Sequence, residues 1–475
     1  MHKKLKLNMS VGVKASVAYF LASVISKGIA YITTPIYTRL LTSAEYGKTS
    51  VFLTWQQIFG IVAMFNLSHG VFNNGMSDYK NKRDEYSYSM LVLSNCITIV
   101  TGILLFAGMQ LFGNFLNLEY PFIVLMFAIF MVEPAYNFWK SKQRYEYQYS
   151  YPVIWSVVQA VIYPLIAIAI IKLHAPGDRL YARIFGSEIP MFLVFLGFYL
   201  YIGQKNKWHL NTSYWKYAFM FNLPLLPHYL SSYLLSSSDK IMISHLVGDT
   251  STAYYSVAYS VAAVGTIVWT AINGSLIPYT YKKCEEKDYA AINRVTLPIL
   301  YLFASCCIFI IILAPEVVKI MATKEYHEAI YVIPPIVGGV FFQVQYFVFA
   351  NILYYYKKPK YVMYGSLVAT FLNLLLNYIF IRIFGYIAAA YTTLLCYLIQ
   401  AIIDYYAMRK AVPEKVYDIK TISWLSFGII IIALISNFIY DYYIIRYAFL
   451  IALLATVYVF RKKILNIMKL IKAKT

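Results

Sequence analysis

Of 475 residues, 60% are hydrophobic and only 13% are charged, and no soluble fold of that length can hide so much apolar surface. The composition excludes a water-soluble enzyme and predicts a protein that crosses the bilayer many times. A net charge of +20 would suggest nucleic acid in a soluble chain, but here the placement of the basic residues makes it a signal of topology.

The chain opens on the basic stretch MHKKLKLNMS. The apolar run behind it is of full spanning length and lacks a small-residue cleavage pattern, so no cleavable signal peptide is expected. Apolar residues fill most of 14–40. At about 1.5 Å per residue that is enough to cross a roughly 30 Å hydrocarbon slab. Lys27 sits near the midpoint, and Ser16, Ser23, Tyr31, Thr34 and Thr38 fall on its side in helical steps. Pro35 weakens the outer turns. A charge at mid-depth costs about 2.5–3.5 kcal/mol, so Lys27 is expected to face protein or a wet cavity. Two readings stand: a cavity-lining cation, or a lysine neutralised by a neighbouring helix.

Further spans are predicted near 47–73, 87–112, 119–140, 151–172, 180–203, 215–245 and 252–281, then near 293–318, 328–356, 361–382, 386–408, 421–440 and 445–461. That makes fourteen helices, an all-α polytopic protein. Lys80, Lys82 and Arg83, then Lys140, Lys142 and Arg144, then Lys282, Lys283 and Lys287 all fall in alternate breaks, as do Lys357, Lys358 and Lys360. Both termini are therefore expected in the cytoplasm. No break is long enough for a folded extramembrane domain.

The second half restates the first. LLTSAEYGKTSVF (40–52) is answered by LVGDTSTAYYSVAY (246–259), and NFWKSKQRYEY (137–147) by NILYYYKKPKY (351–361). Six helices thus repeat in one orientation. The expected organisation is an N-terminal lobe over 1–208, a second lobe over 209–412, and two added helices with a basic tail over 413–475. The counterpart of the opening helix is the seventh span, broken at Pro224 and Pro227, with Asp239 and Lys240 in its outer half. Adjacent residues point about 100° apart on a helix, so at least one of the pair needs a partner elsewhere. An ion pair that fixes packing and a gate or ligand contact between lobes are both open.

Glu133, Arg183, Glu188 and Asp404 also lie at membrane depth. A buried Glu can carry a proton, which makes Glu133, Glu188 and Asp239 the candidates for proton or sodium coupling. Equally, such a Glu can bond to Arg183 or to a freed carbonyl. Tyr31 and Tyr233 suit stacking on sugar rings, though interfacial belts account for most of the 48 tyrosines. Five cysteines show no metal or redox spacing and read as packing residues. P-loop, dinucleotide and HExxH motifs are absent, so no catalytic residue, cofactor or metal is expected. GSLIP (274–278) and GYIAAAYTT (385–393) read as close helix packing, with Gly385, Ala388 and Ala389 letting two helices approach.

PIYTRLLTSAEYG (35–47), SDKIMI (238–243) with LVGDTSTAYYSVAY, and GYIAAAYTT together resemble the polysaccharide transporter family of the multidrug/oligosaccharidyl-lipid/polysaccharide exporter superfamily. The resemblance covers the whole chain in length, helix count and repeat. It implies a flippase for a polyprenyl-pyrophosphate-linked oligosaccharide in a bacterial inner membrane, serving O-antigen, capsule or related glycan assembly. The implied partners are that substrate, membrane lipid, and glycan polymerase and chain-length proteins, with no nucleic acid. By position, Lys27, Arg39, Asp239 and Lys240 would line the substrate path, their cations suited to a pyrophosphate. A cation-coupled multidrug exporter of the same superfamily is the alternative, and a membrane glycan polymerase or ligase a more distant one.

Overall fold

The computed structural model describes residues 11–68 and 70–472. The basic opening decapeptide and the side chains of Ser16, Lys462 and Lys463 lie outside the described residues. In chain order the helices are α1 (Val11–Leu40), α2 (Ser43–Ala63), α3 (Val71–Asp78), α4 (Arg83–Phe112), α5 (Tyr120–Tyr145) and α6 (Ser150–Lys172). There follow α7 (Arg179–Lys205), α8 (Ser213–Asn222), α9 (Leu226–Leu246), α10 (Asp249–Glu285), α11 (Tyr289–Ile312) and α12 (Ala314–Met321). The last are α13 (Ile333–Tyr355), α14 (Pro359–Phe384), α15 (Ile387–Ala411), α16 (Ile419–Ile439) and α17 (Tyr443–Lys472). Fourteen of them run to 21 residues or more, one for each predicted span, and no strand occurs among the described residues. Among the described residues ten are long and apolar enough to cross a membrane, and α17 carries a shorter apolar run, Tyr443–Val459. The chain is a multi-pass, all-α membrane protein.

Prolines explain where predicted spans divide. Pro224 sits in the break at 223–225 that separates α8 from α9, Pro227 lies in the first turn of α9, and Pro315 opens α12 after α11 has ended. Pro35, by contrast, stays inside an unbroken α1.

Two compact units result: one contains residues up to Leu41 and Phe52–Leu230, the other Thr42–Val51 and the chain from Ser231 onward. The chain leaves the first unit at 230/231 rather than at 208/209 because α8 is tied down there. Trp215 Nε1 donates to Ser89 O at 2.9 Å, Tyr214 Oη to Glu85 Oε1 at 3.0 Å, and Asn222 Nδ2 to Phe65 O at 3.0 Å. In the first unit α7 packs on both α5 and α6, and α4 on α5; in the second α15 packs on α13 and α14, and α11 on α13. The neighbour pattern therefore recurs in the order of the sequence repeat. α16 packs on α13 and α11, and α17 on α11. α13 is the buried axis of its unit, with Phe341, Phe342, Val344 and Ile352 all closed off from solvent.

Polar contacts sort the breaks of the first unit into two ends and mark the basic end of the second. In the first, Asp84 takes ion pairs from Lys142 and, at 3.7 Å, Lys205, gathering the basic breaks at one end. At the other, Arg179 Nη1 donates to Leu40 O at 2.6 Å and Trp55 Nε1 to Leu116 O at 3.1 Å. In the second unit Tyr289 and Tyr356 share a 2.5 Å hydroxyl contact at the basic end. Gly385 does not serve close packing: a Cβ there would meet nothing within 4 Å, and its φ of +75° instead makes the turn out of α14. Gly274 is likewise open.

Candidate functional site

The polar stripe of α1 is split by its proline. Thr34 and Thr38 are buried and spend their hydroxyls on the helix itself, donating to Ala30 O at 3.0 Å and Pro35 O at 3.3 Å. Arg39 likewise turns back on its own helix, with Nη1 donating to Pro35 O at 2.7 Å. Ser23 and Lys27 are exposed and Tyr31 is half-buried. No ion pair involves Lys27 among the described residues. It is thus an exposed cation near the middle of a thirty-residue helix.

Asp239 and Lys240 part company, as their angular separation requires. Asp239 is 0% exposed inside the second unit. It accepts from Tyr255 Oη of α10, from Asn377 Nδ2 of α14 at 2.6 Å and from Thr393 Oγ1 of α15 at 2.8 Å. Asn373 extends the network by donating to Thr393 Oγ1 at 2.9 Å, and Thr392 donates to Asn377 Oδ1. Lys240 is half-buried with Nζ 5.2 Å from the Tyr259 ring centroid, a cation–π arrangement. The structure thus makes Asp239 the hub of an oxygen-rich cluster drawn from four helices.

Glu188 and Glu133 lie in the first unit. Glu188, 5% exposed, accepts from Gln56 Nε2 at 2.8 Å and from Ser187 Oγ at 3.4 Å. Ser187 also accepts from Arg183 Nη1 at 2.8 Å, and the Arg183 guanidinium lies 4.2 Å from the Tyr37 ring centroid. A chain of polar contacts therefore runs from α1 through α7 to α2. Glu133 is half-buried and takes a 3.4 Å contact from Asn137, one turn on.

Sequence reasoning missed Gln56, Tyr255, Asn373, Asn377 and Thr393. The asparagines left a usable sign: two amides four residues apart in the apolar run FLNLLLNYIF share one helix face and need buried partners.

Fourteen long helices in two units, with ionisable side chains placed at membrane depth, define a multi-pass protein of transporter type. Residues 13–283 match the family described as Polysaccharide biosynthesis protein, and residues 224–379 match MatE. The first match covers more than half of the sequence, so the chain belongs to the polysaccharide biosynthesis protein family, flippase-type transporters of the multidrug/oligosaccharidyl-lipid/polysaccharide exporter superfamily and not enzymes. Lsg locus putative protein 1 of Haemophilus influenzae is 23% identical over 75% of this chain and 88% of its own length. The probable low-salt glycan biosynthesis flippase Agl15 of Haloferax volcanii is 21% identical over 43% of this chain and 44% of its own. Among solved structures, a lipid II flippase MurJ in an inward closed conformation shares the fold, with TM-score 0.68 and 13% identity over 94% of this chain and all of that one. An inward-facing multidrug resistance MATE transporter shares it at TM-score 0.58 and 13% identity, over 86% and 96% of the two chains.

Proposed function

We propose that this flippase moves a polyprenyl-pyrophosphate-linked oligosaccharide across a bacterial inner membrane by alternating access, with both termini cytoplasmic. One observation carries the reading: Lys27 is exposed near mid-span and, among the described residues, makes no ion pair. An ammonium left in hydrocarbon there would cost about 2.5–3.5 kcal/mol, so water must reach it, and a wet cation at that depth suits an anionic pyrophosphate. Tyr31, one turn along, offers an aromatic platform for a sugar face, and Arg39 adds positive charge within the first unit, while Lys240 is a cation of the second unit. Asp239, with the amide and hydroxyl groups around it, is the preferred candidate for coupling to a proton or sodium ion, ahead of Glu133 and Glu188. A basic α1 speaks against cationic drugs as cargo.

The test is Lys27→Ala in the native host. Surface glycan is expected to fall by an order of magnitude or more while membrane-inserted protein stays constant, and Lys27→Arg is expected to restore most of it. Full surface glycan in the alanine variant would remove Lys27 from the transport path.

A further inference from the structure

Asp404 of α15 is as deeply buried as Asp239 yet is provided for in the opposite way. It is 0% exposed, and neither of its oxygens has a hydrogen-bond partner. Gln400 Oε1, one turn earlier and in a side chain 3% exposed, is also unpartnered. Residues four apart share a helix face, so three acceptor atoms lie on one buried face of α15 with no donor bonded to any of them. α14 closes the patch with bare backbone: a Cβ on Gly365 would stand 3.0 Å from Asp404 Oδ1. α13 carries no charged residue and brings only Tyr346 within electrostatic reach. The charges of α14 are Lys360 and Arg382 near its two ends, and Arg382 stacks 3.9 Å from the Tyr378 ring. On α15 itself Arg409 is turned to Glu414 O at 2.8 Å and Lys410 to the Tyr361 ring at 6.0 Å. None of these cations pairs with Asp404 among the described residues.

An ionised carboxylate left so would pay a desolvation penalty of several kcal/mol with nothing to offset it, and such groups neutralise instead. We propose that Asp404 is a proton-binding site of the second unit. The carboxyl is held as the acid in this conformation, and its O–H donates to Gln400 Oε1, so one proton serves both orphaned side chains. Release of that proton requires water to enter between α13, α14 and α15, which ties proton exchange to a change of conformation. That consequence rests on the transport reading above; the presence of the proton does not.

The experiment is infrared difference spectroscopy of the full chain in lipid nanodiscs, in sodium-free buffer, taking wild type minus Asp404→Asn. A protonated-carboxyl C=O stretch is expected in the difference, moving in heavy water and shifting in Gln400→Leu, which removes the acceptor. The Gln400 variant carries the test if Asp404→Asn fails to fold. Absence of the band, or its loss when sodium is added at constant pH, overturns the proposal, the latter by making the occupant a metal cation. In proteoliposomes holding a fluorescent polyprenyl-pyrophosphate-linked sugar, Asp404→Asn is expected to shrink several-fold the difference between rates with and without a pH gradient. A wild type that shows the band but moves no probe sinks the transport reading alone. One whose movement responds to the gradient without showing the band sinks the proton site alone.

Discussion

Single residues in this chain show how one chemical type is put to different uses by its surroundings. Asp239 collects three donors and Asp404 none, although both are closed off from solvent. Glu316, at the start of α12, illustrates a third arrangement. Arg446, 1% exposed, grips it with two parallel 2.9 Å bonds, and Tyr447 Oη adds a third at 3.1 Å. Partial burial pushes the Glu316 carboxyl up, but the Arg446 hydrogen bonds and charge outweigh it and hold the group below its ordinary range. Its contribution to stability is therefore complete above the unfolded-state value of about 4.3 and is lost as the pH falls through the lower folded value. Glu316→Gln leaves a buried guanidinium without its counter-charge, and is expected to cost about 3 kcal/mol at neutral pH. Melting followed by tryptophan fluorescence should show the wild-type and variant temperatures converging on acidification. Parallel curves down to the acid limit would mean the pair contributes nothing.

At the scale of elements, the start of α2 shows what the sequence could and could not convey. TSAEYGKTS is recognisable as the turn into a second helix, and Glu45 caps it by accepting from the Thr42 backbone N–H at 2.8 Å. What cannot be read is why a glycine follows Tyr46. In the structure a Cβ at Gly47 would run into the carbonyl of Asp249 at the head of α10, a backbone group with no room to yield. Gly47→Ala is expected to destabilise the second unit by about 1–3 kcal/mol through this overlap, measurable as a fall in melting temperature. An unchanged temperature would mean the two helix starts do not approach. The same limit explains the other gaps. Length and hydropathy place helices because they are properties of one segment. Gly385 was read as a packing residue because its positive φ depends on a three-dimensional turn, and two of the three partners of Asp239, Asn377 and Thr393, come from helices remote in sequence. Lys27 was legible for the converse reason: a lone charge in an apolar run is a local anomaly, whatever surrounds it.

For the whole molecule, the decisive question is what changes when the protein is taken away. A flippase forms and breaks no covalent bond; it lowers the barrier for carrying a polar, anionic head through a slab whose interior charges that head several kcal/mol per group to enter. Removing it should leave the lipid-linked sugar complete, on the face where it was made, and inaccessible from the other. A polymerase or ligase would leave the same unit complete but already translocated, waiting to be joined. A drug exporter would leave both sides normal and change only susceptibility to cationic compounds. Depletion in the native host, followed by a membrane-impermeant sugar oxidant applied to intact cells and then to lysed ones, separates the three. The expected result is lipid-linked units that accumulate and resist oxidation until lysis, with drug susceptibility unaltered. Units oxidised in intact cells would exclude a flippase, because the polar head would already have crossed without it.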